Sequence, residues 1–241
     1  MINVEKWMLF NKLKLNPIRF APTAILVFGI LSLTASSSWA AGKTVDSFFN
    51  TTESSSKNLK PFKKWTAALG RYSKEVKNRK KVTCKSARLN ICDYGDWATF
   101  LKGLKGKKTI EQIRAVNDRM NKAKYVTDQS NWGHKDYWAT PGEFMTRFGD
   151  CEDYAIVKYL SLRALGIPDK NLRVVAVKDL NLKVGHAILM VIFKDKKTGK
   201  NRYLVLDNQI KQVVDSRKIR HYQPVFSINK TQWWRHLPKV G

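Results

Sequence analysis

The sequence predicts an α+β domain, and three observations carry that prediction. Apolar residues recur at helical spacing through the middle of the chain, then in strand-like runs from residue 172 onward. Helices that come before a block of strands, rather than alternating with them, imply an antiparallel sheet with helices packed on it. Between the two blocks stands Gly149-Asp150-Cys151-Glu152-Asp153-Tyr154, which opens an apolar run to Leu165 and closes on Gly166-Ile167-Pro168. This run is one helix with signals at both ends. Asp150 is a good N-cap, Glu152 and Asp153 suit the positive end of the dipole, Gly166 suits a left-handed C′ position, and Pro168 cannot continue a helix. Its apolar residues lie on nearly every side, which predicts burial. Cys151 then sits in the first turn, where free N–H groups and the dipole favour a thiolate.

Residues 1–40 lie outside that domain. Lys6, Lys12, Lys14 and Arg19 precede an apolar run from 20 to 33, and Ser38-Trp39-Ala40 resembles a small-residue cleavage site. This reads as a secretory signal peptide cut after Ala40. The rival, an uncleaved anchor, is disfavoured by the short run and by Pro22. Cleavage leaves an exported chain that does not itself span the membrane. The formal charge is +26, and losing four cations and Glu5 with the leader leaves about +23. Export argues against nucleic acid, and the basic residues are spread rather than gathered in one arm. An acidic protein or an anionic membrane surface fits the charge better. An oxidising compartment permits Cys84 and Cys92 to pair, which leaves Cys151 as the odd thiol.

In chain order, residues 41–60 read as a flexible lead-in around Thr51-Thr-Glu-Ser-Ser-Ser56, and 61–241 as a single domain. Residues 61–77 form a helix with Phe62, Trp65, Leu69, Tyr72 and Val76 on one stripe. A short helix follows over 97–104 and a longer one over 109–124, where Thr109 and Gln112 have capping-box spacing. Asn117 lies on the apolar face of the latter and is expected to hydrogen-bond the following loop. Residues 125–148 are rich in aromatics, carboxylates, Gly and Pro and run straight into Cys151, so they should line its site. Thr140-Pro141-Gly-Glu143 opens a short helix there. Strands are expected over 172–177, 186–193, 203–207 and 224–228, with the last tryptophans, Trp233 and Trp234, packed on the sheet. Residues 194–199 make a hairpin turn containing Gly.

A nucleophilic cysteine needs a base, and the base needs a group to orient it. A turn centred between Lys196 and Lys197 sets His186 directly opposite Asp207, with side chains on one face. This singles out His186 from His134 in a loop and from His221 and His236 in the tail. Alone, either residue reads as an ordinary strand constituent; Cys, His and Asp in helix, strand and strand together read as a catalytic triad.

These residues resemble the bacterial transglutaminase-like cysteine proteinases of the LapG type. The resemblance rests on Gly149-Asp-Cys-Glu-Asp-Tyr154, Trp138-Ala-Thr-Pro141, His186 at a strand start and Leu206-Asp207-Asn208, and it covers roughly 97–233. It implies a papain-like, transglutaminase-like core with Cys151 as nucleophile, His186 as general base and Asp207 as orienter. It also implies a periplasmic protease that cuts the N-terminal region of a large adhesin near a double-alanine site, so promoting biofilm dispersal. An inner-membrane cyclic-di-GMP receptor would sequester it. A calcium requirement is implied too, with Asp150 and Glu152 as ligands, and Asp128, Asn131 and Asp136 can add oxygens from the preceding loop. Asp150 and Glu152 also have the plainer roles of cap and dipole partner. The oxyanion donor expected by default is the Cys151 N–H, with the Trp138 indole second. Two other functions stay open: acyl transfer to an amine through the same thioester, and a non-catalytic basic module binding an acidic partner.

Overall fold

The computed structural model describes residues 45–46, 48–78, 91–195 and 198–238. The leader over 1–40 and Cys84, and with them the Cys84–Cys92 pairing, lie outside these residues. Six α-helices are described: α1 (Lys63–Asn78), α2 (Ile91–Leu104), α3 (Thr109–Met120), α4 (Asp128–Trp132), α5 (Pro141–Arg147) and α6 (Cys151–Ala164). The strands are β1 (Val45–Asp46), β2 (Thr51–Ser56), β3 (Leu172–Asp179), β4 (Val184–Lys194), β5 (Asn201–Leu206), β6 (Val214–Asp215), β7 (Tyr222–Ile228) and β8 (Trp233–Pro238). They form one sheet in the order β1-β2-β8-β7-β3-β4-β5-β6, antiparallel at every step. The α+β prediction holds.

Helix α6 is the axis of the core. Every residue from Cys151 to Leu162 is buried, as its all-round apolar sequence requires. It ends in a Schellman turn: Gly166 takes φ +93°, its N–H donates to Arg163 O at 3.0 Å, and Ile167 N–H donates to Leu162 O at 3.0 Å. The helix lies across β3 and β4. Val174 and Ala176 of β3, with Ala187, Leu189 and Val191 of β4, share its core. The alternate residues Val175, Val177, Ile188 and Met190 pack on the other face against Phe48, Ile219 and Tyr222. Both faces of the central strands are covered, so they read as near-continuous apolar runs.

Several local expectations change. Thr51–Ser56 is a strand rather than part of a loose lead-in, paired along its length with β8, the strand that Trp233 and Trp234 begin. Helix α2 starts six residues earlier than expected, and α3 stops at Met120. The N-cap of α3 is Lys108, not Thr109, and Gln112 donates instead to Leu104 O at 3.0 Å. Asn117 is fully buried but ties down Lys211 O, at 3.0 Å, well beyond the next loop. Helix α5 follows its sequence signals, with Thr140 and Glu143 closing a capping box.

The β4–β5 hairpin is displaced by two residues from the expected pairing: Leu189 faces Leu206 and Lys194 faces Asn201. Hydrogen bonds from Asp195 N–H to Lys200 O and from Gly199 N–H to Asp195 O, each 2.9 Å, close this turn. Side chains alternate with period two, so an even displacement leaves His186 and Asp207 on the same face as diagonal neighbours. Among the described residues no helix is long and apolar enough to cross a membrane.

Candidate active site

The nucleophile helix begins from a constrained approach. Phe148 takes φ 63°, ψ −158°, a region that suits glycine and costs other residues about 1–3 kcal/mol. Its N–H donates to Phe144 O at 2.7 Å, and its carbonyl accepts from Asn131 Nδ2 at 3.3 Å. Gly149 follows, bridged to Tyr125, with Val126 N–H donating to Gly149 O at 2.9 Å. A Cβ on Gly149 would lie 2.6 Å from the Asp153 Cβ, so only glycine fits. Asp150 is the N-cap, and its N–H donates to Asp153 Oδ2 at 3.2 Å.

Cys151 is buried in the first turn, and its Sγ–H donates to Glu152 Oε2 at 3.1 Å. Burial pushes the thiol well up, and the Glu152 and Asp150 carboxylates add to the rise. The thiolate expected from the helix dipole is thus opposed by two neighbouring anions. Glu152 is itself shifted, as are two further carboxylates nearby. Burial first, then Asp150 beside them, pushes Glu152 and Asp153 well above the carboxylate range and Asp128 up to about 7.

Four buried carboxylates converge here. Ligand atoms of Asp150, Cys151 and Glu152 lie within 4.8 Å of one another, and so do those of Asp128, Asp150 and Asp153. Glu152 Oε1 and Asp128 Oδ1 are buried without a hydrogen-bond partner among the described residues. Two backbone amides of one loop fix two of the other oxygens: Tyr137 N–H donates to Asp128 Oδ2 at 2.5 Å, and Ala139 N–H to Asp153 Oδ1 at 2.6 Å. Oxygen donors this crowded, with orphaned lone pairs, fit a hard cation such as Ca²⁺. Asp153 was not among the ligands expected from sequence; at the third helical position it reads as a dipole partner, and only its fold neighbours reveal it. Asn131 turns its amide nitrogen to the carbonyls of Arg147 and Phe148, both at 3.3 Å. Asp136 pairs with Lys64 and accepts from Trp138 Nε1 at 2.9 Å, which also engages the indole offered above as an oxyanion donor.

The second half of the site lies on the sheet. His186, near the start of β4, and Asp207, just beyond β5, are both buried, and His186 Nε2 meets Asp207 Oδ1 at 2.9 Å. Gln209 N–H donates to the same oxygen at 2.9 Å, and the Tyr222 hydroxyl donates to Oδ2 at 2.7 Å. Burial alone would raise the Asp207 carboxyl, but these bonds hold it below its usual range. With Nε2 fixed on Asp207, Nδ1 of His186 is the nitrogen left for proton exchange. Burial first, then Asp207, Asp179 and Cys151, push the Tyr222 phenol up.

A helix-borne thiol followed in sequence by a sheet-borne His–Asp pair is the order of the papain-like and transglutaminase-like cysteine enzymes. Residues 84–240 match the family of bacterial transglutaminase-like cysteine proteinases (BTLCP), and the chain belongs to that family. Among solved structures it is similar to Legionella pneumophila LapG at 28% identity, covering 68% of this chain and 87% of that one, with a TM-score of 0.55. Calcium-bound and EGTA-treated forms of the Legionella protein match at the same identity and TM-score, the latter over 84% of its length. No curated protein matches the chain.

Proposed function

We propose that this protein is a calcium-dependent periplasmic cysteine endopeptidase that cuts the N-terminal region of a large surface adhesin. Release of the adhesin promotes biofilm dispersal, and an inner-membrane receptor that binds cyclic di-GMP restrains the protease by sequestering it. The observation that carries the reading is the 2.9 Å His186–Asp207 bond, in the same chain as a helix-terminal Cys151. The similarity to LapG supports the substrate class, and the large positive charge suits an acidic protein partner.

In this reading Cys151 Sγ attacks the scissile carbonyl while His186 Nδ1 takes the thiol proton. Asp207 holds the imidazole in one tautomer and stabilises its cation, as the carboxylate of a Ser-His-Asp triad does. The Cys151 N–H faces the oxyanion. The imidazolium then protonates the leaving amine, a thioester remains, and His186 deprotonates the water that hydrolyses it. Asp128, Asp150, Glu152 and Asp153 would hold Ca²⁺. When bound, the ion supplies positive charge that offsets the carboxylates beside the thiol and fixes the start of the helix.

The test is incubation of the purified protein with an adhesin N-terminal fragment, in calcium or in chelator, alongside Cys151→Ala. Cutting that needs both calcium and Cys151 supports the reading. Cutting by Cys151→Ala, or equal cutting in chelator, refutes the nucleophile or the calcium requirement respectively.

A further inference from the structure

Lys158 lies two turns beyond Cys151 on α6 and is fully buried, with Nζ lacking a hydrogen-bond partner among the described residues. The Tyr154 ring stands 5.8 Å from Nζ to centroid. A lysine so placed costs stability unless its three donors are used. The charged groups that act on it are Asp207, beyond β5, and Asp118, on α3; both favour the ammonium, against a burial that lowers its pKa to about 7.

Among the described residues three buried amide oxygens also lack partners: Asn117 Oδ1, beside Asp118, Asn208 Oδ1, beside Asp207, and Asn121 Oδ1. Asn117 is on α3 and Asn121, one turn later, is its C-cap; α3 packs against α6. Their nitrogens already grip the loop after β5, Asn117 on Lys211 O at 3.0 Å and Asn121 on Asp207 O at 2.7 Å. Asn208 belongs to that same loop. One ammonium carries three donors and three amide oxygens need one; none bonds the ammonium directly, and ordered water is what completes such bonds between buried polar groups in general.

We propose that Lys158 is a positioning residue: across buried water its ammonium serves the amide oxygens of Asn117, Asn121 and Asn208, and so locks the Asp207 loop to the helix that carries Cys151. The role rests on the proposed protease chemistry only in that Asp207 must orient His186. A space-filling lysine would be replaced by methionine at no cost to the His186–Asp207 bond.

The experiment reads that bond without any substrate. The hydrogen-bonded Nε2–H of His186 gives a downfield proton resonance, recorded for the native chain, Lys158→Met and Asn121→Ala, together with melting temperatures. The proposal expects the resonance in the native chain and its loss to exchange in both variants. It also expects Lys158→Met to melt within about 3 °C of native or higher, since an apolar side chain in place of a buried, bridged charge saves its desolvation cost. Retention of the resonance in both variants overturns the proposal while leaving the protease reading intact. Its absence from the native chain overturns the His186–Asp207 pair and this proposal together. If Lys158→Met does not fold, Asn121→Ala and Asn208→Ala decide by the same resonance.

Discussion

The Tyr222 hydroxyl donates to Asp207 Oδ2 at 2.7 Å while His186 Nε2 meets Oδ1 at 2.9 Å, so both oxygens of this carboxylate have fixed partners. Tyr222→Phe keeps the ring beside His186 and removes one charge-assisted bond, worth about 1.5–3 kcal/mol. Proteolytic kcat/KM should fall about 10-fold or more, against roughly 10³–10⁴ for Asp207→Asn by analogy with Ser-His-Asp triads. Steady-state rates of the two variants test the ranking, and an unimpaired Tyr222→Phe contradicts it.

Gly149→Ala should be more damaging than its size suggests. The new Cβ would meet the Asp153 Cβ at 2.6 Å and its Oδ2 closer still, and Asp153 is held between the N–H groups of Asp150 and Ala139. Either the carboxylate leaves the acidic cluster or the helix start shifts. Calcium affinity measured by titration calorimetry should drop at least about 10-fold, the scale of a disturbed ligand shell.

Helix α1 reaches the acidic cluster through one loop. Arg71 Nη2 donates to Trp138 O at 2.6 Å and its Nε to Glu143 Oε1 at 3.2 Å, while Tyr137 and Ala139 of that loop hold Asp128 and Asp153. Arg71→Met should therefore weaken calcium binding by about 10–100-fold. Arg173→Met is the control: it breaks a partly buried pair with Glu53 at 2.6 Å on the sheet and should lower the melting point while sparing calcium affinity.

Glu75 gives stability a pH dependence of its own. Burial raises its carboxyl from 4.5 to about 7, with Glu143 adding to the rise, and Thr140 Oγ1 donates to it. The folded chain binds this proton more tightly than the unfolded chain does. The contribution is thus full below about 4.5 and is lost as pH rises through 7. Glu75→Gln should flatten the melting temperature between pH 5 and 8 relative to the native chain, most visibly by a gain at the upper end. Parallel profiles for the two proteins would contradict this.

What the sequence made legible follows the range of the interactions involved. Helix α6 was legible because its cap, its all-round apolar surface and Gly166-Ile167-Pro168 are local signals. The pairing of His186 with Asp207 was legible because strand alternation fixes the face, and that survived a two-residue error in register. Strand β2 was not legible: Thr51–Ser56 is polar, and what makes it a strand is a partner nearly two hundred residues away in β8. Asp153 was hidden for a similar reason, since its neighbours Asp128 and Ala139 come from a short helix and a loop earlier in the chain. The surroundings of the thiol were only partly legible, because a dipole argument counts one helix, whereas burial and two carboxylates also act on Cys151.

The central claim is hydrolysis through a thioester on Cys151, and cutting an adhesin N-terminal fragment in heavy-oxygen water tests it most directly. The account predicts, in calcium and not in chelator, two products whose masses sum to the fragment plus one water, with the label in the new carboxyl terminus. Unlabelled, cross-linked product would contradict hydrolysis and identify the enzyme as an acyl transferase to amines.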